Sequence, residues 1–373
     1  MHHRAMDIDS VPALRAALDG GASLAHLRLQ GLDLRGHDHI FDGRTDIEGL
    51  VVLGGRIRPK LVRRLTRAGA IVFPPTPHVP VDPYRSNLYA PDELYAGLAD
   101  HGYAATPDAR AYAWSRDPEL TNDAYVSVLR AMHDAAMGDS LDEIIDDREV
   151  VGIMGGHDWG RGSERFALAA ALGHRLANTG VLVVTGGGPG AMEAANLGAY
   201  ATDETRLGSA LRLLAEVPTF EPDIDAWARV AFRAREAARP HAWSAPPRSL
   251  GIPTWFYGHE PPNVFCDAVG KFFSNALRED GLLSRCRNGV IALPGAAGTV
   301  QEIFQAVTPL YYTELETLPP LVLVGEEHWT RQVPVWPAVQ ALAAGRPMAD
   351  AVHLVDDLES AAAIVAPRSR HSP

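Results

Sequence analysis

Hydrophobic positions along the chain fall into two rhythms. Short unbroken apolar runs read as buried strands, and stripes at three- and four-residue spacing read as helices. From Glu149 the two alternate regularly. Residues 150–154 predict a strand, 164–178 a helix stopped by Gly180, and 181–185 a strand running into a glycine loop and a helix to about residue 200. Residues 223–237 read as a helix and 250–257 as a strand. Residues 264–277 read as a helix with Phe265, Val269, Phe272, Phe273, Ala276 and Leu277 apolar, ended by Arg278, Glu279 and Asp280 and stopped by Gly281. The run 289–293 predicts the next strand, and from Val300 a helix shows Ile303, Phe304, Val307 and Leu310 on one face. Strands at 320–324 and 352–355 and helices at 336–344 and 358–365 complete the series.

Ahead of Glu149 the pattern is sparser. Helices are predicted at 11–18, 59–68, 91–101 and 122–137, and strands at 49–53 and 70–73. Residues 49–73 form one strand–helix–strand unit, so this region is expected to hold a small parallel sheet of its own. The Pro-rich stretch 74–83 and the Pro/Trp-rich stretch 240–247 read as surface excursions, the second as a candidate lid. The expectation is an α/β protein in three parts: a smaller α/β lobe over 1–148, a doubly wound parallel sheet over 149–366, and a disordered tail at 367–373.

Composition narrows the function. The chain has 373 residues, 46% of them hydrophobic, enough for a large core in more than one lobe. Asp and Glu outnumber Lys and Arg by 46 to 34, a net charge of −12, so no nucleic-acid partner is expected. Cys266 and Cys286 lack metal-ligand spacing and fit packing roles in a reducing, cytoplasmic setting. There is no apolar run of membrane-spanning length, and neither a membrane nor a metal is expected as a partner. His133-Asp134 is a dipeptide that metal-dependent phosphohydrolases use. Without further His or Asp ligands, a helical surface or interface role is expected for it.

Two stretches carry chemistry. Gly186-Gly187-Gly188-Pro189-Gly190-Ala191-Met192-Glu193 follows one predicted strand, and Pro294-Gly295-Ala296-Ala297-Gly298-Thr299-Val300-Gln301-Glu302 follows another. A glycine loop between a strand and a helix is an anion site, because the first helical N–H groups lack acceptors and the helix dipole adds positive potential. A phosphate is the expected guest. Neither loop is a dinucleotide fingerprint or a P-loop. Each could also be a tight turn with nothing bound. Thr299-x-x-Glu302 is equally a capping box, with the Glu reaching back to the cap N–H. Glu193 and Arg278 have structural alternatives too, at a helix N-terminus and C-terminus respectively.

The paired motifs resemble those of the LOG family, the cytokinin riboside monophosphate phosphoribohydrolases and bacterial nucleotide monophosphate nucleosidases. The resemblance covers about residues 148–327, and the added N-terminal lobe makes the chain look like the larger bacterial type. It implies a Rossmann-like fold and hydrolysis of a nucleoside 5′-monophosphate to free base and ribose 5-phosphate. Glu302 and Arg278 would then be catalytic. Gly295, Ala296, Ala297, Gly298 and Thr299 would hold the phosphate, and Gly186, Gly187, Gly188, Gly190, Met192 and Glu193 would face the ribose or base. It also implies a homodimer or larger homo-oligomer. Two departures stand out. Ala296 replaces a usual Gly, and Arg278-Glu279 stands where the short enzymes have Arg-Lys. A label of lysine decarboxylase, often attached to such chains, requires a Schiff-base lysine. Lys271 is the one Lys of the main lobe and has no pyridoxal-binding context, so no cofactor is expected. Similar folds include molybdenum-cofactor carriers, so a carrier or sensor that binds without cleaving is the alternative.

Overall fold

The computed structural model describes residues 6–239, 246–256, 258, 260–313 and 318–367. It divides into two compact units, residues 1–87 with 122–140, and 88–121 with 141–373. The smaller unit contains β1 (Met6–Ile8), α1 (Val11–Asp19), β2 (Leu27–Gln30), β3 (Val51–Leu53), α2 (Pro59–Arg67) and β4 (Ile71–Phe73). Its four strands are parallel in the order β1-β2-β3-β4. β3, α2 and β4 are the expected strand–helix–strand unit. α2 starts on a proline and buries Leu61 and Leu65 while Arg63, Arg64 and Arg67 stay exposed. The core of this unit gathers Leu14, Leu24, Leu29, Leu50 and Leu65.

Residues 88–121 count with the larger unit, whereas the sequence pattern set its boundary at 148. They hold α3 (Pro91–Leu94), α4 (Leu98–His101) and α5 (Pro107–Arg116). One helix was expected over 91–101; Gly97, at φ 85°, splits it. Long-range polar contacts explain the changed boundary. Tyr89 pairs with Val269 through two backbone bonds of 2.9 and 2.8 Å. Asp108 of α5 accepts from Lys271 Nζ at 2.7 Å, Trp255 Nε1 at 2.9 Å and Tyr103 Oη at 2.6 Å. The chain passes from one unit to the other within α6 (Ala124–Ile145). His133 and Asp134 lie in a helix, α6, as expected, but are buried, which overturns the surface alternative and leaves the interface one untested. Burial pushes the His133 imidazole below its ordinary value.

The larger unit is built on seven parallel strands: β5 (Val150–Met154), β6 (Leu182–Thr185), β7 (Ser249–Gly251), β8 (Ala268–Val269), β9 (Val290–Ala292), β10 (Leu321–Val324) and β11 (Val352–Val355). Their order is β11-β10-β9-β5-β6-β7-β8. The chain winds outward from β5 to β8, returns to β9 on the other side of β5, and winds outward again. Its helices are α7 (Glu164–Asn178), α8 (Ala191–Tyr200), α9 (Glu204–Leu214), α10 (Ile224–Ala238), α11 (Asn275–Arg285), α12 (Ala297–Tyr312), α13 (Trp336–Ala343) and α14 (Leu358–Val365). α7 packs on α8 and α14, while α12 packs on α11 and α13. This is the expected Rossmann-like, doubly wound α/β architecture. The β5/β9 junction is its switch point, where such sheets bind ligands beyond the strand ends. α7 and α8 cross backbone to backbone: a Cβ at Gly198 would run into the Ala170 carbonyl oxygen.

One expected element is absent. Residues 264–273 form no helix; they run extended through β8, and α11 begins only at Asn275, with Ser274 accepting from Leu277 N–H. Val264, Phe265, Cys266, Val269, Phe272 and Phe273 are all buried without a helix, so their spacing does not mark one helical face. Arg278 and Glu279 consequently sit in the first turns of α11 rather than at a helix end, and Gly281 lies inside the helix. The strand expected over 250–257 shortens to β7. α9 had not been expected at all. Residues 240–245 of the supposed lid and 368–373 of the tail lie outside the described residues. Among the described residues, no helix is long and apolar enough to cross a membrane.

Candidate functional site

Three turns meet at the switch point. The turn after β5 lies between the two glycine loops and bonds to both: Gly156 N–H donates to Pro294 O at 3.1 Å, and Gly156 O accepts from Ala191 N–H at 3.0 Å. They bound a cavity of about 390 Å³, the size of a small-molecule site. Its walls include His157, Gly186, Gly188, Met192, Glu260, Arg278, Glu279, Gln301, Glu302 and the run Ala296, Ala297, Gly298, Thr299.

The start of α12 makes one wall. Its first helical bond runs from Val300 N–H to Ala296 O at 3.0 Å. The N–H groups of Ala297, Gly298 and Thr299 therefore precede the helical ladder, as an anion seat requires. Ala296 is the cap residue, with φ −113° and ψ −145° and no side-chain cap bond. One departure is accounted for here and one expectation changes. The Ala in place of Gly causes no strain, because this position never takes positive φ. Thr299 is not the cap, so Thr299-x-x-Glu302 is not a capping box. Thr299 instead packs its hydroxyl against Gly295, where a Cβ would collide with it. Gly295 does not line the cavity, and its N–H points to His328 Nε2 at 3.3 Å.

Glu302 lies in the second turn of α12, 6% exposed, beside Arg278, 7% exposed. Arg278 Nη1 is 3.4 Å from Glu302 Oε1 and 3.5 Å from Glu279 Oε1, while its Nε donates to Ile252 O at 2.8 Å. Burial pushes the Glu302 carboxyl up to about 7; Arg278 pulls it down and Glu279 pushes it up. Glu279, 2% exposed, also accepts from the Gln301 amide. Across the cavity His157 Nδ1 and Glu260 Oε1 are 3.6 Å apart.

The first glycine loop contributes less than its sequence suggested. Gly186, Gly188 and Met192 line the cavity; Gly187, Gly190 and Glu193 do not. Gly187 N–H is taken by Thr185 Oγ1 at 2.9 Å. Glu193, 1% exposed, pairs bidentately with buried Arg161, whose guanidinium stacks on Trp227 4.0 Å from the ring centroid. Buried and absent from the cavity wall, Glu193 is not placed to meet a ribose hydroxyl there. Lys271 does not line the cavity either. Glu279, Gln301, His157 and Glu260 had no assigned role in the sequence reading. The first two were at least visible beside Arg278 and Glu302, whereas no motif marks the others.

A larger hollow, about 970 Å³, lies on the outer side of α11 and α12, between Leu277, Pro309, Tyr312 and Leu318. Its wall is mainly apolar, with Asp280 and Arg287 its charged residues, whereas the smaller cavity gathers His157, Glu260, Arg278, Glu279 and Glu302 and is the better chemical site. Among the described residues, no cluster of three or more His, Cys, Asp or Glu could hold a metal ion.

Residues 148–213 match the model of the SLOG cluster4 family. The match runs from β5 through the first glycine loop into α9 and stops before the second loop. No curated protein matches the chain. Among solved structures, the molybdenum cofactor carrier protein MCP from Chlamydomonas reinhardtii is 19% identical. That match covers 58% of this chain and 96% of the carrier, at a TM-score of 0.35. A molybdenum cofactor binding protein from the phototrophic bacterium Rippkaea orientalis is 13% identical over 59% of this chain and 96% of its own, at a TM-score of 0.32.

Proposed function

We propose that the cavity hydrolyses the N-glycosidic bond of nucleoside 5′-monophosphates, giving free base and ribose 5-phosphate. One juxtaposition carries the reading: helix-start N–H groups with the Thr299 hydroxyl, next to a buried Glu302 held by Arg278. In this proposal the 5′-phosphate sits on Ala297, Gly298 and Thr299, and the sugar lies across Glu302. Loss of the base leaves oxocarbenium character on the sugar, which a nearby carboxyl group can serve by proton transfer or charge. Arg278 orients Glu302 and is the one guanidinium among the described cavity residues. The match of 148–213 to the SLOG cluster4 model supports a nucleotide-related site. The proposal includes neither metal nor cofactor. A homo-oligomer belongs to the same reading and is checked by light scattering in solution.

The test is incubation with AMP, GMP, IMP, CMP and UMP, with free base read by chromatography and Glu302→Gln run alongside. The expected result is base release by the wild type and a roughly 10²–10⁴-fold loss in the folded variant. Binding seen as a thermal shift without base release would turn the reading to a nucleotide or cofactor carrier. Neither binding nor release would leave the loops a purely structural role.

A further inference from the structure

The cavity holds one cation against two buried carboxylates. Glu279 and Glu302 come from different helices, both line the cavity, and both approach the same Nη1 of Arg278, at 3.5 and 3.4 Å. Burial disfavours a net negative charge in such a trio, so the pair is set to hold one proton between them. The two sides are unequal. Glu279 has the Gln301 amide as a second donor, whereas Arg278 is the one side-chain donor bonded to Glu302 among the described residues. Glu302 is therefore the less fully bonded of the two carboxyls.

Resting on the nucleosidase reading, we propose that Glu279 is the second catalytic carboxylate: Glu302 gives a proton to the departing base, and Glu279 takes one from the attacking water. The C1′–N bond breaks with its electron pair going to the base nitrogen, which receives the Glu302 proton. The water oxygen bonds C1′ and its proton passes to Glu279. Proton exchange between the two carboxyls, bridged by Arg278, restores the starting state. Nucleotide and water are consumed, and base and ribose 5-phosphate are made. Separating two carboxyls into an acid and a base by unequal surroundings is a general device. The other groups facing Glu302 do not disturb the assignment. The Cys286 thiol, pushed up to about 12 chiefly by burial, stays protonated. His157 and Glu260 pair with each other on the cavity wall, and His328 is bonded at Gly295. β9, β10 and α13, which pack near α12, carry no charged residue.

The test is Glu279→Gln, with Glu279→Asp as the conservative control, read in two ways. In kcat/KM against pH, the wild type should lose activity above about pH 7 as Glu302 ionises. Glu279→Gln should lower kcat roughly 10²-fold or more and move that limb to lower pH, and Glu279→Asp should restore part of both. Infrared titration needs no turnover. A protonated carboxyl band should fade near neutral pH in the wild type, be missing in Glu302→Gln, and fade at lower pH in Glu279→Gln. A structural role for Glu279 predicts lower thermal stability with limb and band unmoved, and that result overturns the proposal. Absence of base release with the infrared shifts intact would remove the nucleosidase reading and the catalytic role, leaving a proton-sharing pair. A band that fails to shift would refute the pair even if base is released.

Discussion

The two glycine loops look like one motif used twice. Each follows a buried strand, each opens a helix, and each carries a Glu within that helix's first two turns. Their glutamates have opposite fates. Glu193 is enclosed by a bidentate Arg161 stacked on Trp227 and is cut off from the cavity. Glu302 meets its arginine at only 3.4 Å, shares it with Glu279, and faces the cavity. A fully paired buried carboxylate is a structural element, while a half-paired one keeps the freedom to exchange a proton. The local motif does not decide between them; the arginine that arrives from elsewhere in the chain does.

The sharpest way to break this contrast is Glu193→Ala. It strands the buried Arg161 charge and should cost about 3–5 kcal/mol of stability in urea unfolding. A cost below about 1 kcal/mol would mean that Glu193 is less firmly paired than its geometry suggests. Glu302→Gln should act in the opposite sense. Burial pushes the Glu302 carboxyl from an ordinary 4.5 up to about 7, so its contribution is present at low pH and lost as pH rises through that window. Between pH 5 and pH 8 the wild type should lose on the order of 2 kcal/mol that Glu302→Gln keeps. At pH 8 the variant should unfold at higher urea. Thr299→Val keeps the side-chain shape and removes the hydroxyl, and should raise KM for an active mononucleotide about tenfold with the fold intact. Ala296→Gly should change least. Because the residue does not use positive φ, restoring Gly should leave turnover within about twofold and cost under about 1 kcal/mol.

Much of the larger unit is legible because its central strands β5, β6, β9 and β10 are buried on both sides and read as nearly unbroken apolar runs. β5, β11, α7 and α14 fall at the predicted bounds. The stretch 264–273 defeats the pattern for a related cause: Val264, Phe265, Cys266, Val269, Phe272 and Phe273 are all buried, and where most side chains are buried spacing no longer separates helix from strand. In the smaller unit β1 is three residues long, and β2 mixes Leu27 and Leu29 with Arg28 and Gln30, too short to stand out. At the site, the glycine-loop motif singles out Glu302 and position alone suggests Arg278; the two side chains lie 3.4 Å apart. The roles of Glu193, Glu279 and Glu260 depend on partners distant in sequence: Arg161 for the first, the Gln301 amide of α12 for the second, His157 for the third.

The ion pair of Lys271 with Asp108 has a practical consequence. The chain has two lysines, Lys60 and Lys271. Lys60 is exposed in the smaller unit, and Lys271 is sealed in the larger one. An amine-directed reagent therefore meets one lysine side chain in the native protein and gains the other only when the larger unit opens. The rate at which Lys271 becomes labelled times that opening, using a reporter the molecule already contains.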